Sequence, residues 1–584
     1  MARAAADYAA GRVEAAEAGA RAVLAQAPGR LGARHLFAAC RLAAGALEEG
    51  AAALEAVVAA VPGRDEVRLQ LAEVRVRQGR HGDAVALLGD VVARQPDMLV
   101  AYRPLAEAQW EMGARAAAIA TWRELMARVP WDGAAQAALG EALRQAGEAA
   151  AAVPALRRAL ALLADRASAL PAVRLCLAEV LAEVAMTAPP GWAELAEAAG
   201  LARAAMAPAK VDPAGDDPAG DDPAGDDPAR LVRIAFVLHR AGDQAGAEAC
   251  YAAALARDPL LADARLFLAM LRLVRGDFAR GWPDYEWRRV QRPQDVAAGS
   301  PPARLRPPSA PWIAPARLDG VTVRVVLEQG QGDTLHFARY LPMLAARGGR
   351  VEMALASQAG VEPLLRAMPA VAAVVLAADS APTLDMVVPY VVVPLLSLPL
   401  AFGTALGTIP AAVPYLTVPE DRQAVWRARL GAGDGRPRVG VVWWGSADHA
   451  GDRQRSIPLS RFRRVLERPG LSFHVLSDRL RGGERDELGA LATVHEGVGD
   501  FADTAALAEM MDLVVTVDTS VAHLAGALGR PTWVLLPFLP DWRWLLGRED
   551  SPWYPTMRLF RQPAPGEWDN ALARVGEALD VRFR

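Results

Sequence analysis

A chain of 584 residues is too long for one hydrophobic core and must divide into several domains. Hydrophobic residues at 53% and charged residues at 23% exclude a disordered chain, and a net charge of -4 disfavours a general nucleic-acid binder, which carries a basic excess. Lys210 is the one lysine among 64 cationic residues, so a cation that holds a ligand's phosphate is expected to be arginine.

Cys40, Cys176 and Cys250 form no CxxC pair, which argues against a disulfide framework and a structural zinc site. The first residues carry acids and no apolar run, unlike a secretory signal. The most apolar stretch, Val387 to Phe402, is interrupted by Pro389, Pro394 and Pro399 and is too short to span a bilayer. The expectation is a cytoplasmic protein with no membrane span.

Gly11, Gly45, Gly79, Gly113 and Gly147 recur every 34 residues, as do Pro28, Pro62, Pro96 and Pro130. Five residues after each glycine stands a small residue: Ala16, Gly50, Ala84, Ala118 and Ala152. This is the period of the tetratricopeptide repeat, or TPR. Glycine supplies the left-handed end of the first helix, the small residue lets the second helix approach its neighbour, and proline separates the units. The ladder fails at position 181 and resumes with Gly242, Ala247 and Pro259, then Gly276 and Gly281. Between the two blocks lies PAGDDPAGDDPAGDDPA, Pro213 to Ala229, which reads as an acidic flexible linker. The predicted division is a TPR array over 1–185, an irregular segment and linker over 186–230, further repeats over 231–291 and a connector over 292–316. TPR arrays present concave peptide-binding surfaces.

Beyond the connector the texture changes. Val321–Leu327 is β-branched and leads through Glu328-Gln-Gly-Gln-Gly-Asp333 into a helical pattern from Thr334 to Ala346. Further strands are predicted at 350–356, 373–376 and 386–388. A second unit opens with strand 438–444, followed by Gly445 and Ser446. Strands at 472–476, 513–517 and 532–536 and helices at 459–466, 504–511 and 520–528 follow. The alternation predicts parallel doubly wound sheets. The fold class expected is an α-helical TPR solenoid followed by a GT-B-like α/β pair of Rossmann-like lobes, over 317–420 on the acceptor side and 436–584 on the donor side. Eleven of the 15 tryptophans lie after residue 280, as cleft aromatics or as core.

The segment Asp518-Thr-Ser-Val-Ala-His523-Leu-Ala-Gly-Ala-Leu-Gly-Arg-Pro531 follows a strand, so Asp518 sits at that strand's carboxyl end. Thr519 and Ser520 then open a helix whose N–H groups, hydroxyls and positive end suit a diphosphate. The same residues also read as an ordinary helix cap with a core histidine.

This segment resembles the D-[TS]-x-x-x-H-L-A-x-A-L motif of heptosyltransferase-like glycosyltransferases. Gln331-Gly332-Asp333 resembles their G-D turn, and Asp452-Arg-Gln-Arg-Ser-Ile-Pro458 their basic segment ahead of a helix. Phe278-x-x-Gly-Trp-x-x-Tyr-Glu-x-Arg288, Asp541-Trp-Arg-Trp544 and Asp550-Ser-Pro-Trp-Tyr554 resemble a bacterial subgroup in which TPR repeats precede this domain.

The resemblance implies a nucleotide-sugar donor and an inverting transfer that needs no metal or other cofactor. It implies Asp333 as general base, Arg455 rather than Arg453 as the phosphate cation, and Thr519, Ser520 and Val521 as the phosphate cradle. Asp518, His523, Gly445 and Ser446 support the donor site, and Gln331, Gly332 and His336 belong to the acceptor side. Asp333 alternatively reads as a helix-capping carboxylate, and His336 as a second base or a half-exposed helix histidine. The array points to a protein acceptor. A glycan or lipid acceptor, or a TPR scaffold whose transferase lobes no longer turn over, are the alternatives.

Overall fold

The computed structural model describes residues 1–166, 169–187, 192–206, 227–290, 312–355, 359–376, 390–446, 451–477 and 480–584. The DPAGD linker up to Asp226, the connector up to residue 311, and the strand expected at 386–388 lie outside the described residues, as does Lys210. Among the described residues the chain forms two compact units, one up to residue 181 and one from residue 182 onward.

The first unit is the repeat array. The five ladder glycines have φ between +72° and +78°. At each the chain closes the same pair of bonds. The Gly11 N–H donates to Tyr8 O and the Arg12 N–H to Asp7 O, and this repeats at Gly45, Gly79, Gly113 and Gly147. Two orphan carbonyls of each first helix are thereby satisfied. Ala16, Ala84, Ala118 and Ala152 are wholly buried, and a Cβ on Gly50 would lie 2.5 Å from Leu42 Cδ2. The prolines do more than interrupt. Six residues after each, a side chain donates back to the proline carbonyl: Arg34 to Pro28, Arg68 to Pro62, Tyr102 to Pro96 and Gln136 to Pro130. The turn between helices leaves that carbonyl without a helical partner, and the next helix supplies one.

The second unit begins with the other repeats. Helices Pro228–Arg240, Gln244–Arg257, Ala262–Val274 and Phe278–Tyr285 carry the same turns at Gly242 and Gly276. Arg265 donates to Pro259 O, in the same register as the first array. The last of these helices packs on the α/β region. Trp282 meets Trp542 edge to face at 5.3 Å, Phe278 lies 5.9 Å from Trp553, and the Trp282 indole donates to Thr404 O at 2.8 Å. Trp542 and Trp553 are therefore core at this junction, and Trp443, stacked on Phe462 at 5.3 Å, is core within the second lobe.

Each lobe is a parallel sheet. The first contains β1 Thr322–Val326, β2 Arg350–Leu355, β3 Ala373–Leu376 and β4 Tyr390–Pro394, in the order β3-β2-β1-β4. The second contains β5 Arg438–Val442, β6 Ser472–Val475, β7 Thr493–Val494, β8 Leu513–Val517, β9 Thr532–Leu536 and β10 Met557–Arg561, in the order β10-β9-β8-β5-β6-β7. The order reverses between β8 and β5. The carboxyl ends of two such strands splay their following loops apart and leave a ligand crevice. Asp518 follows β8, and Gly445 and Ser446 follow β5.

Some elements differ from expectation. The helix predicted from Thr334 to Ala346 is three pieces, Gln331–Phe337, a 3₁₀ turn Ala338–Tyr340, and Leu341–Ala346. Pro342 has no N–H for the carbonyl four residues back, so the helix cannot continue through it. Strands β4, β7 and β10 and helices Glu420–Leu430 and Trp568–Arg582 were not anticipated. The first of these helices belongs to the second lobe. Its Trp426 donates to Asp503 at 2.9 Å, and Arg422 pairs with Asp500 at 3.2 Å and Asp503 at 2.8 Å.

Candidate functional site

The donor side is built on helix Ser520–Ala527. Thr519 is its N-cap, in extended conformation, and its Oγ1 accepts the Val521 N–H at 3.3 Å. Ser520 is the first helical residue. Arg455 reaches this end from a short helix, Asp452–Arg455, and donates through Nη1 to Asp518 O at 3.1 Å. The absence of a side chain at Gly445 makes that reach possible, because a Cβ there would lie 2.7 Å from Arg455 Nε and Nη2. Arg453, two residues earlier on the same short helix, is exposed. A knot holds the segment in place. Ser456 Oγ accepts the Gly445 N–H at 2.9 Å and donates to Asp452 Oδ1 at 2.7 Å, while Arg481 pairs with the other Asp452 oxygen. Ser446 is exposed at the end of this run.

The acceptor side begins where β1 ends. Gln329 holds a left-handed φ of 57°, a conformation that costs energy in a non-glycine residue and marks a tightly constrained turn. Glu328, just before it, is pinned from the repeats: Arg288 donates to it at 2.9 Å and to Ser397 Oγ at 2.8 Å, and Ser397 donates to Glu286 at 2.8 Å. Asp333 accepts the Gly330 N–H through Oδ2 at 2.9 Å, so it does cap its helix. Its other oxygen accepts from Arg543 Nη2 at 2.5 Å, and Arg543 Nη1 donates to Asp541 at 2.8 Å. Arg543 is buried, with Trp542 and Phe337 rings against its guanidinium. Gly332 places this turn on the donor helix, since a Cβ there would lie 3.2 Å from Ser520 Oγ and 3.4 Å from His523 Cδ2. Gln331 turns the other way, its amide lying over Gly360.

His336 is wholly buried, which corrects the half-exposed reading, and burial behind Phe337 and Trp553 removes it from contact with an incoming acceptor. Its Nδ1 bonds the Tyr554 hydroxyl at 2.9 Å, and His523 Nδ1 bonds the same hydroxyl at 3.0 Å. One hydroxyl has one proton, so one histidine donates to Tyr554 and the other accepts from it. Burial and neighbouring arginines push both histidines well below the ordinary imidazole range, so both are neutral. His523 also stacks on Trp544 at 5.2 Å. Asp518 titrates in the opposite sense. Burial first, and then the Asp541 carboxylate, push its carboxyl up to about 6, against the Arg455 and Arg543 guanidiniums.

The structure thus brings Asp333, Gly332, Arg455, Asp518, Thr519, Ser520 and His523 together, and leaves Gln331, Ser446 and His336 turned away from the common space. Asp478 and Arg479, just beyond the strand predicted at 472–476, lie outside the described residues. Arg543, Asp541 and Tyr554 stand in motifs visible in the sequence but had no role assigned. Their partners lie up to 218 residues away in the chain, so no local pattern could supply one. Among the described residues no group of three or more His, Cys, Asp or Glu side chains is placed to hold a metal ion. Nor is any described helix long and apolar enough to cross a membrane.

Comparison with known proteins gives two family matches. The tetratricopeptide repeat model matches residues 41–108, and glycosyltransferase family 9 (heptosyltransferase) matches residues 497–535, which include β8, Asp518 and the helix after it. Protein FlbA of Caulobacter vibrioides is 28% identical over 338 residues, covering 53% of this chain and 54% of that protein. The chain thus spans about half the length of this curated relative. Similar solved structures include the C-terminal part of a TPR repeat-containing protein from Cytophaga hutchinsonii, at 14% identity and TM-score 0.34 over 44% of this chain and 95% of that one. A tetratricopeptide repeat protein from Parabacteroides merdae gives 14% identity and TM-score 0.33 over 44% and 91%. MamA gives 18% and 0.28 over 29% and 98%. The chain joins an array of tetratricopeptide repeats to a GT-B-like pair of α/β lobes, the second of which contains the stretch that matches glycosyltransferase family 9.

Proposed function

We propose that the lobes transfer a sugar from a nucleotide-sugar donor to a protein acceptor, with inversion at the anomeric carbon and without a metal. The observation that carries this reading is the meeting of Arg455 with the amino end of helix Ser520–Ala527, opposite the Asp333 turn. The acceptor hydroxyl gives its proton to Asp333 as its oxygen attacks the anomeric carbon. The bond from that carbon to the diphosphate breaks, and its electron pair stays on the phosphate oxygen. Arg455 and the cradle of Thr519, Ser520 and Val521 stabilise the charge that develops there. Fixed guanidiniums in a buried site do the work that a bound cation does in metal-dependent transferases. The repeats supply the surface that favours a protein acceptor over a glycan or lipid.

One observation favours the non-catalytic scaffold as a second reading: both oxygens of Asp333 are already engaged. Calorimetry of the full chain with ADP, UDP, GDP and CDP separates the two. Binding of one of them, lost in Arg455→Ala and Thr519→Ala, is expected; no binding to any moves the protein to the scaffold class. With the matching labelled nucleotide-sugar and host extract, label is expected in the protein fraction. Label confined to lipid or glycan would replace the acceptor class.

A further inference from the structure

Arg543 is the most heavily committed side chain near the site. It is 6% exposed and faces two carboxylates, Asp333 at 2.5 Å and Asp541 at 2.8 Å. A buried arginine between two acids is ordinarily read as a structural pair. Two features argue for more. Its Nε–H is buried and has no hydrogen-bond acceptor among the described residues, and Arg455 Nε–H likewise makes no hydrogen bond, its ion pair with Asp452 Oδ1 spanning 3.7 Å. Arg455 donates to Asp518 O at 3.1 Å, and Arg543 holds Asp333, whose neighbour Gly332 packs on Ser520, so both guanidiniums border the amino end of helix Ser520–Ala527. Two guanidiniums, Arg543 buried and Arg455 half-buried, each with an Nε–H outside any hydrogen bond, flank the cradle of Thr519 and Ser520. They suit a ligand with many acceptor oxygens and at least two charges.

We propose that Arg543 is a second diphosphate-binding residue that also gates Asp333. Without donor, its guanidinium holds the Asp333 carboxylate. When the diphosphate enters, the guanidinium turns toward the phosphate oxygens, keeps Asp541 as its anchor, and releases Asp333 to take the acceptor's proton. Base activation is thereby coupled to donor occupancy, and an acceptor that arrives first meets a carboxylate already neutralised. Asp541 is the residue that lets Arg543 turn without leaving the site, since its carboxylate also accepts the Arg543 backbone N–H at 3.0 Å. This rests on the diphosphate reading above and adds a residue and an order of events to it.

The test is a binding cycle on the full chain, read by calorimetry with the nucleoside diphosphate that the wild type binds among ADP, UDP, GDP and CDP. Arg543→Met removes the cation and is expected to weaken binding about tenfold or more, the range for a charged hydrogen bond. Asp333→Asn frees Arg543 and is expected to tighten binding by about fivefold, a typical coupling between sites. In the double variant the tightening is expected to vanish, because Asp333 acts on the ligand through Arg543. Tightening that persists in the double variant would mean that Asp333 repels the phosphates directly, and would overturn the gate. Unchanged affinity in Arg543→Met leaves Arg543 a structural pair and overturns the inference while the diphosphate site stands. No binding by the wild type removes both. Where Arg543→Met does not fold, Arg543→Lys replaces it: the charge stays, the two-pronged geometry goes, and both effects are expected in the same direction at reduced size.

Discussion

Asp518 shows how one residue serves structure and ligand at once. Its backbone carbonyl takes the Arg455 guanidinium at 3.1 Å, and its side chain is buried beside Asp541. A carboxyl pushed up to about 6 is held protonated in the folded chain at pH values where the unfolded chain has already released the proton. The folded state therefore binds more protons between about pH 4 and 6, and stability falls as pH rises through that window. A shift of this size corresponds to at most about 3 kcal/mol. The histidines act in the opposite direction. His336 and His523 are held neutral, so their contribution is lost as pH falls below the ordinary imidazole value. Denaturant unfolding of wild type and Asp518→Asn between pH 4.5 and 7.5 separates the two, since the histidines are common to both. The variant is expected to gain on the wild type as pH rises. A constant difference across the range would show that Asp518 does not carry the shift. At this scale the sequence was informative where chemistry is local. Asp518, Thr519 and Ser520 follow from a strand, a turn and a helix read in order. Arg543 does not, because it meets Asp333 across 210 residues and only the folded chain makes them neighbours.

Among elements, helices Gln331–Phe337 and Ser520–Ala527 come from different lobes and share Tyr554 through His336 and His523. Tyr554 in turn lies against Gly526, where a Cβ would be 2.5 Å from its ring, and under Arg339, whose guanidinium is 4.4 Å from the ring centroid. Tyr554→Phe keeps the ring and removes one hydroxyl, which leaves one ring nitrogen of each histidine unpaired in a buried site. The penalty is about 1–3 kcal/mol per orphaned group, so a loss of about 2–6 kcal/mol is expected by chemical denaturation. Nucleoside diphosphate affinity is expected to fall with it, because Gly332 can then move off Ser520. A variant as stable as the wild type would mean that the hydroxyl does not bridge the lobes. The elements themselves were readable to different degrees. The glycine ladder placed the helix ends because only a left-handed residue closes that pair of bonds, and each ladder glycine has that backbone. The proline caps were invisible: Arg, Tyr and Gln fill one role, so no single residue type marks it. Two-residue β7 is too short to show a period, and the apolar pattern runs on through Pro342 and hides the break there.

For the whole molecule, the repeats divide unexpectedly. A sequence period treats every repeat alike, yet those of residues 228–285 share a compact unit with the lobes, apart from the first array. The physical reason lies in the last helix, which keeps the small residue of the ladder, Gly281, and sets the large rings Phe278, Trp282 and Tyr285 around it. These rings are 1%, 3% and 4% exposed, and they cover Trp542 and Trp553 beside the loop that carries Arg543. Burying one large apolar side chain is worth about 1.5–3 kcal/mol, so the three contribute about 5–9 kcal/mol. That is comparable with the whole stability of a typical domain, about 5–15 kcal/mol. Removing them also strips Arg288 from Glu328 at the root of the Asp333 turn, leaving a carboxylate without its buried partner. A chain of residues 312–584 is therefore expected to aggregate or to lack a cooperative melting transition, although it contains both sheets. A chain of residues 227–584 is expected to melt cooperatively and to bind the same nucleoside diphosphate as the full chain. Circular dichroism melts, gel filtration and calorimetry on the two chains decide it. If the shorter chain melted cooperatively and bound with full affinity, the last repeats would be an attachment to the transferase rather than a part of it.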